Sequence, residues 1–206
     1  TIPYAFEKCK ESNRFYHFER AAKILQGQSL DDLSSPGLPF DDTDPYKVLE
    51  GASFGLSVKY DPKMDAYLDE IITLIASAQE PDGYLYTTRT VNPEKPHEWA
   101  GSKRWMHVKH LSHELYNMGH LYEAAVAHYQ ATGKRSLLDI AIKNADLLCR
   151  TFGPGKNEDA PGHQIIEMGL VKLYRVTGKE EYLNLAKFFL DTRGPGDGQY
   201  SQAHKK

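Results

Sequence analysis

The sequence predicts an all-α protein built as an array of helical hairpins, and two observations support this fold class. Apolar residues recur at helical spacing in six segments, which are 45–59, 62–79, 113–131, 135–149, 163–176 and 180–191, and no comparable stretch alternates as a strand should. A unit of helix, Thr-Gly-Lys turn and helix occurs twice, with an offset of 45 residues from Gly133 to Gly178. Because each hairpin can bury its apolar face only against a neighbour, the repeat indicates a stacked array.

The ends of the predicted helices carry local signals. Pro45 and Pro62 suit the first helical position, where a missing N–H costs nothing, and Asp44 and Asp61 directly before them are typical N-caps. The glycines of the two Thr-Gly-Lys turns stand where glycine relieves a left-handed helix ending. We therefore expect two well-marked helix starts and two well-marked helix ends.

The connections between the predicted hairpins differ in length at the two ends of the array. Short turns lie at one end, whereas residues 26–44, 80–105 and 152–164 are long connections at the other, with turn-forming, polar and aromatic residues. Segment 45–80 repeats the hairpin plan more loosely, which gives three hairpins of similar period. This period fits a closed (α/α)6 toroid or an open solenoid, and long loops on one rim favour a toroid with its site at that rim.

Composition limits the possible function classes. The chain has 206 residues, 40% hydrophobic residues and a formal net charge of -3, which is ordinary for a soluble globular protein and predicts no nucleic-acid partner. No run of about 18 apolar residues and no leader pattern occurs, so we expect neither a membrane span nor a signal peptide. Cys9 and Cys149 form no disulfide framework or CxxC motif. The compartment and the oligomeric state stay open.

The segment HELYNMGHLYEAA, residues 113–125, is the first candidate site. Its start resembles the zinc motif HExxH, but His113 and His120 are seven positions apart, about 10 Å along a helix, which is too far for one shared zinc ion. A polar-aromatic stripe at helical spacing contains His113, Tyr116, Asn117 and His120. An apolar stripe contains Leu115, Met118, Tyr122 and Ala125. We expect His113 to lie near the cavity mouth, and His120, beside Gly119, to have a packing role.

The segment PGHQIIE is the second candidate site. His163 is predicted to open a helix after a glycine-rich loop, where free amides favour anionic or hydroxyl-rich ligands. Carboxylates for glycosidic chemistry are present at Asp42, Asp44, Asp82, Glu114, Glu123 and Glu167. None forms a convincing pair at the separation of about 5 Å or 6.5–9.5 Å that retaining or inverting glycosidases need. No GxSxG, P-loop or GxGxxG pattern supports serine hydrolase or nucleotide chemistry.

Several strings together resemble one family, the β-L-arabinofuranosidases of glycoside hydrolase family 127 and its relatives. In family order they are FDDTDPYKVLEGASFGL, AQEPDGYLYT, HELYNMGHLYEAAVAHYQATG, FGPG, PGHQIIEMGLVKLYRVTG, YLNLAKFFLDTRG and YSQAH. The family fold is an α/α toroid followed by β-sandwich domains, which agrees with the array predicted from the repeat. The resemblance implies that residues 1–206 are the N-terminal portion of the toroid catalytic domain, incomplete, with three to four of its six hairpins.

The resemblance also implies a function and two site residues. Members of the family are retaining exo-acting hydrolases that remove terminal L-arabinofuranose from plant-type glycans. They use a cysteine nucleophile held on zinc by further cysteines and a glutamate, and a separate glutamate as acid/base. The family's sugar-contacting histidines fall on His113 and His163, which are therefore the predicted residues for binding an arabinofuranoside or related carbohydrate. His120 also matches, as a structural residue.

The sequence departs from the family pattern at several positions. Gln164 and Ile165 replace the family's proline and first glutamate, and Val48 replaces an aromatic residue, which leaves room for a different sugar selectivity. The family's zinc cysteines, nucleophile, acid/base glutamate and a later sugar-binding histidine all lie downstream of YSQAH, and Cys9 and Cys149 match none of them. Zinc is expected for a full-length family enzyme. For this chain we predict no catalytic residue, no metal ligand and no activity alone.

Two further hypotheses stay open on the sequence. A noncatalytic helical array would bind a sugar or a protein through its long-loop rim, and would fold as a cooperative monomer. A metalloprotein would use His113 and His163 as ligands and would carry stoichiometric metal.

Overall fold

A computed structural model describes residues 1–33 and 37–193, and within these ranges the chain is helical, with one isolated bridge between Phe152 and Asn157 and no strand. The helices are α1 (Ile2–Glu11), α2 (Arg14–Leu25), α3 (Thr43–Val58), α4 (Pro62–Ser77), α5 (Thr87–Thr90), α6 (Glu114–Thr132), α7 (Ser136–Thr151), α8 (Ile166–Thr177) and α9 (Glu180–Arg193). A 3-10 turn covers Glu98–Ala100. The predicted all-α class is confirmed, whereas the string YSQAH at 200–204 lies outside the described residues.

Three hairpins repeat along the chain and form two rows of helices. α3, α6 and α8 lie side by side in the first row, and α4, α7 and α9 form the second. The first row is parallel, because Lys47 near the start of α3 bonds Tyr116 near the start of α6, and Gly119 of α6 meets Ile166 at the start of α8. The connections 26–42, 78–113 and 152–165 therefore meet at the N-terminal ends of the first row. We call this end the long-loop rim.

Two helices precede the repeat and were not among the predicted segments. α1 runs antiparallel to α3, since Ile2 approaches Gly51 and Arg14, just beyond α1, bonds Asp44 at 2.9 Å. Charged side chains are frequent in both α1 and α2 and obscure their apolar spacing. Together the two helices make a fourth hairpin, which agrees with the three to four hairpins expected. Among the described helices, none combines the length and the apolar character needed to cross a membrane.

The Thr-Gly-Lys turns end their helices as predicted. Gly133 and Gly178 have φ values of +73° and +72°, the left-handed conformation in which a glycine lacks the steric penalty of other residues. Each glycine N–H bonds the carbonyl four residues back, at 2.8 Å in both turns. The repeat in the sequence therefore corresponds to a repeat in the structure.

The lysines of these turns tie each hairpin to the hairpin before it. Lys134 bonds Asp65 at 2.9 Å and Asp69 at 2.6 Å on α4, and Lys179 bonds Asp146 on α7 at 2.9 Å. The acceptors lie on the second-row helix of the preceding hairpin in both cases. Because each pair is only partly exposed, it contributes more to register than a fully solvated pair does.

One predicted helix start is confirmed and the other is wrong. Asp61 caps α4 by accepting from the amide of Lys63 at 2.9 Å, and the helix begins at Pro62. α3 begins at Thr43, before the predicted Asp44 cap, and the Asp44 carboxylate accepts from Arg14 instead. The Asp44 side chain therefore bonds a tertiary partner, Arg14, instead of the helix amides that the local pattern predicts.

Two glycines let α6 and α8 approach closely. A Cβ added to Gly119 would lie 2.6 Å from the Ile165 side chain and 2.8 Å from the Ile166 amide nitrogen. A Cβ added to Gly169 would lie 2.9 Å from the Gly119 carbonyl oxygen and 2.9 Å from the Tyr122 Cβ. This contact lies within two turns of the start of each helix. It therefore fixes the distance between the rim residues that precede α6 and α8.

We expect Gly119→Ala to lower the free energy of unfolding by about 2 kcal/mol, because the new methyl group meets backbone atoms that cannot move independently. Gly55→Ala in α3 is the matched control, since its Cβ would meet nothing within 4 Å. That change should be neutral or stabilise the helix by up to about 1 kcal/mol. Urea unfolding followed by circular dichroism measures both, and equal effects would contradict the close approach.

Candidate functional site

His113 occupies the N-cap position of α6 with an unusual backbone. Its φ is +57°, which is rare for a residue with a side chain. Its Nδ1 lies 2.5 Å from the carbonyl oxygen of Leu111, and because a carbonyl only accepts, Nδ1 carries the proton and Nε2 presents a lone pair. Burial lowers the pKa of His113, the bond to Leu111 opposes this in part, and the neighbouring His163 lowers it again, so that the net shift is downward. The ring is therefore neutral at pH 7 and offers Nε2 as an acceptor.

A buried carboxylate holds the chain on both sides of His113. Glu114 is 1% exposed and accepts from the Tyr84 hydroxyl at 2.7 Å and from the Trp105 amide at 3.1 Å. The Tyr86 hydroxyl donates to the carbonyl of Ser112. Burial raises the pKa of Glu114, while the hydrogen bonds from Tyr84 and Trp105 favour its charged form. The network sets the backbone of His113 from within the core.

The structure places His163 in the turn before α8. The prediction that this histidine opens the helix is wrong, because α8 begins at Ile166. Arg193, at the end of α9, donates from Nη2 to the His163 carbonyl oxygen at 2.7 Å and from Nε to Glu167 at 2.7 Å. Arg193 and Glu167 are each 7% exposed in their side chains. A buried ion pair therefore fixes the turn that carries the exposed His163 ring.

The two predicted site histidines come together at the long-loop rim. Their ring centroids are 5.0 Å apart, with planes inclined by 33°. Tyr116 contacts both, at 5.0 Å from His163 and 5.6 Å from His113, and its hydroxyl accepts from Lys47 at 3.0 Å. We call His113, Tyr116, His120 and His163 the imidazole cluster. Its members on α6 and at its N-cap, His113, Tyr116 and His120, are partly exposed, whereas the α6 residues between them are buried.

The other members of the predicted stripe divide by burial. The His120 ring packs edge-on against Tyr116 at 4.7 Å, and burial, with Lys47 as a lesser cause, lowers its pKa to about 4. Asn117 does not share this face: it is fully buried and donates to the Pro39 carbonyl oxygen at 2.9 Å. The apolar stripe from Leu115 to Ala125 is buried as predicted.

Two aromatic residues beside the cluster were not predicted. Phe40 contacts the His113 ring edge-on at 5.1 Å, and the Trp99 ring lies 6.5 Å from it at an angle of 32°. They belong to the connections 26–42 and 78–113, whose course cannot be derived from apolar periodicity. The aromatic-rich long loops were the only sequence signal for their presence.

Every carboxylate that the sequence offered for glycosidic chemistry has a structural partner. Asp42 accepts from the Thr87 amide and hydroxyl, and burial raises its pKa to about 6. The remaining partners are Arg14 for Asp44, Arg104 for Asp82, Tyr84 for Glu114, Lys172 for Glu123 and Arg193 for Glu167. Neighbouring groups of the fold therefore hold all six of these carboxylates in place.

The chain's own metal-binding options lie away from the cluster. In the described residues, a group with metal-ligand spacing consists of Asp65, Asp69 and His128. The Lys134 ammonium lies between the two carboxylates and forms an ion pair with each of them. The cysteines are free, and burial is the largest cause that raises the pKa of both Cys9 and Cys149 to about 11, so neither is a ready thiolate ligand.

The family model for the β-L-arabinofuranosidase GH127 catalytic domain matches residues 1–206. The non-reducing end β-L-arabinofuranosidase of Bifidobacterium longum subsp. longum is 41% identical over 185 residues, which are 89% of this chain and 27% of that protein.

Solved structures give the same result for the fold. A GH127 β-arabinofuranosidase matches 100% of this chain and 32% of its own with a TM-score of 0.90 and 55% identity. The GH127 β-L-arabinofuranosidase of Geobacillus stearothermophilus T6 matches 98% of this chain and 31% of its own with a TM-score of 0.82 and 40% identity. These neighbours are helical toroid enzymes, which confirms the predicted toroid type. The chain spans less than a third of the length of each of these proteins.

We expect Arg193→Met to lower the free energy of unfolding by about 3–5 kcal/mol, because it leaves Glu167 buried without its cation. The matched control on the same helix is Lys187→Met, which breaks the exposed pair with Asp191 and should cost less than about 0.5 kcal/mol. Urea denaturation compares the two variants. Similar losses would show that the Arg193 pair does not hold the His163 turn.

Proposed function

Because this chain belongs to the β-L-arabinofuranosidase GH127 catalytic-domain family, we propose that its long-loop rim binds a terminal L-arabinofuranosyl residue within an exo-acting glycoside hydrolase. The observation that carries the proposal is the contact between the rings of His113 and His163, with centroids 5.0 Å apart, at the starts of neighbouring helices. We also propose that residues 1–206 form the N-terminal portion of the toroid catalytic domain. Their share of each relative's length supports this assignment.

The cluster has the chemistry that a furanose needs. A sugar offers hydroxyl groups that donate and accept, together with C–H groups that pack on aromatic faces. His113 presents the Nε2 lone pair to a hydroxyl proton, because its Nδ1–H is committed to Leu111. His163 is exposed and adds a second ring within reach of the same ligand. Phe40 and Tyr116 supply the apolar surface around them.

The rim position favours hydroxyl ligands for a further physical reason. α6 and α8 begin here, and the first amides of a helix lack intrahelical acceptors and carry a partial positive charge. Neither His113 nor Ile165 makes a side-chain capping bond to these amides. The amides at the two helix starts therefore attract the lone pairs of a ligand that lies beside the two imidazoles.

The covalent step is assigned to residues outside this set. The family implies a zinc-held cysteine nucleophile, but the two thiols of this chain do not fit such a centre. Cys9 lies in α1 and Cys149 in α7, both protonated at neutral pH because burial raises their pKa. The six candidate carboxylates are committed to structural partners. We therefore assign His113 and His163 to substrate binding and derive no chemical step from this chain.

A second candidate is a noncatalytic sugar-binding array. The observation that favours it is the commitment of all six carboxylates to structural hydrogen bonds and ion pairs. Release of L-arabinose from a β-L-arabinofuranoside by a protein that contains this chain separates the two candidates. Turnover supports the hydrolase, whereas binding without turnover by that protein supports the array.

We expect His113→Gln and His163→Gln each to weaken binding of methyl β-L-arabinofuranoside by about 10-fold, which corresponds to the loss of one hydrogen bond. Arg135→Gln, at the short-turn end, is the control and should leave the affinity unchanged. Calorimetric titration gives the dissociation constants. Wild-type affinity in both histidine variants would refute the proposed site.

We also expect the affinity to fall on acidification. The pKa of His113 is held below its usual value of about 6.5, so the ring is neutral and accepts at pH 7. As the pH falls through this lowered pKa, Nε2 gains a proton and stops accepting. Titrations between about pH 8 and pH 5 should show constant affinity at the alkaline end and a progressive loss at the acid end. The His113→Gln variant should lack this loss, and an affinity that rises with acidity would contradict the assignment.

A further inference from the structure

Trp99 borders the imidazole cluster from a loop of its own. Its ring contacts His113 at a centroid distance of 6.5 Å, and the ring of His97 packs edge-on against it at 5.5 Å. His163 reaches His113 from the connection 152–165, whereas Trp99 reaches it from 78–113. Since Phe40 contacts His113 from the connection 26–42, the His113 ring has a neighbour from each of the three long connections.

The loop that carries Trp99 is fixed before any ligand binds. Arg89 donates to the carbonyl oxygens of Gly101 at 2.8 Å and Ser102 at 2.9 Å, and the Trp99 amide donates to His97 Nδ1 at 3.1 Å. Gly101 has a φ of +71°, which a residue with a side chain rarely adopts. A loop that is already ordered loses little conformational entropy when a ligand packs against one of its side chains.

The next residue anchors the same loop in the core. Ala100 is fully buried and packs with Tyr84 and Tyr86, which are each 1% exposed. Trp99 itself is only partly buried. The anchoring is therefore done by the neighbours of Trp99, and part of the indole stays accessible at the rim.

The second tryptophan of the chain shows what a structural role looks like in this fold. Trp105 packs edge-on against Tyr84 at 5.2 Å and Phe152 at 5.3 Å, and its amide bonds Glu114. Its neighbours belong to the core, whereas the rings that Trp99 contacts, His97 and His113, belong to the rim. Of the two tryptophans, Trp99 is therefore the one that can contact a ligand held by the imidazole cluster.

We propose that Trp99 is the platform of a second subsite, which binds the sugar unit to which the terminal arabinofuranose is linked. This inference rests on the proposed function, since it takes His113 and His163 as the site of the terminal unit. An indole presents a large, rigid apolar face on which the C–H face of a sugar ring packs. The substrate class is then a di- or oligosaccharide with an arabinofuranosyl end.

The test compares two ligands on the same protein by calorimetric titration. One is methyl β-L-arabinofuranoside, and the other is an S-linked disaccharide of two β-L-arabinofuranosyl units, which resists hydrolysis. We expect the wild-type protein to bind the disaccharide more tightly. Trp99→Ala should weaken disaccharide binding by about 5- to 30-fold and change monosaccharide binding by less than about twofold, whereas Trp99→Phe should restore most of the disaccharide affinity.

The His113→Gln variant separates failure of the inference from failure of the proposed function. It should weaken binding of both ligands, because both place a terminal unit at the imidazole cluster. Equal weakening of both ligands by Trp99→Ala, or no weakening of either, would overturn the second subsite and leave the terminal site standing. If the wild-type protein binds neither ligand, both the second subsite and the proposed function are overturned.

A labelling experiment covers the case in which Trp99→Ala does not fold. The chain contains two tryptophans, so 5-fluorotryptophan gives two fluorine resonances. The disaccharide should shift the resonance of Trp99 more than the monosaccharide does, with Trp105 as the unshifted internal reference. Identical shifts of the Trp99 resonance with the two ligands would overturn the second subsite.

Discussion

The close approach of α6 and α8 at Gly119 and Gly169 is the constraint on which the rim geometry depends. Side chains larger than hydrogen would meet backbone atoms at under 3 Å at either position. Because the two helices are parallel and nearly in register, the residues that precede them are brought side by side. The 5.0 Å contact between His113 and His163 follows from this packing and not from their separation in sequence. The repeat of hairpins thus brings the two imidazoles together at one end of the array.

The two histidines are positioned mainly through the backbone around them, and the His113 ring is also held by its Nδ1 bond to Leu111. Buried Glu114 collects donors from Tyr84 and Trp105 beside His113, and the buried pair of Arg193 and Glu167 holds the His163 carbonyl. The charges needed for this support are kept in the core, where competition from water is small. The described part of the chain therefore holds both imidazoles in place from within the core.

Helical periodicity was sufficient to predict the three repeated hairpins, because each first-row helix buries an apolar stripe, and two of their three turns carry a left-handed glycine. Asp44 and His163 show where local signals failed: Arg14 draws the first away from capping, and the Arg193 contact keeps the second outside α8. The family resemblance selected His113 and His163 as site residues, whereas nothing in the sequence specified the contact between their rings. The position of Trp99 could not be predicted from the sequence, because hydrogen bonds from Arg89 place its loop and no periodic pattern encodes them.

The central claim is that the rings of His113 and His163 together receive the sugar. Long-range 1H–15N NMR of the histidine side chains tests it directly, because the Nε2 shift reports whether that nitrogen accepts a hydrogen bond. On addition of methyl β-L-arabinofuranoside, the imidazole nitrogens of His113 and His163 should shift together with one dissociation constant, while buried His128 stays unchanged. Saturable binding that leaves the shifts of both histidines in place would contradict the account.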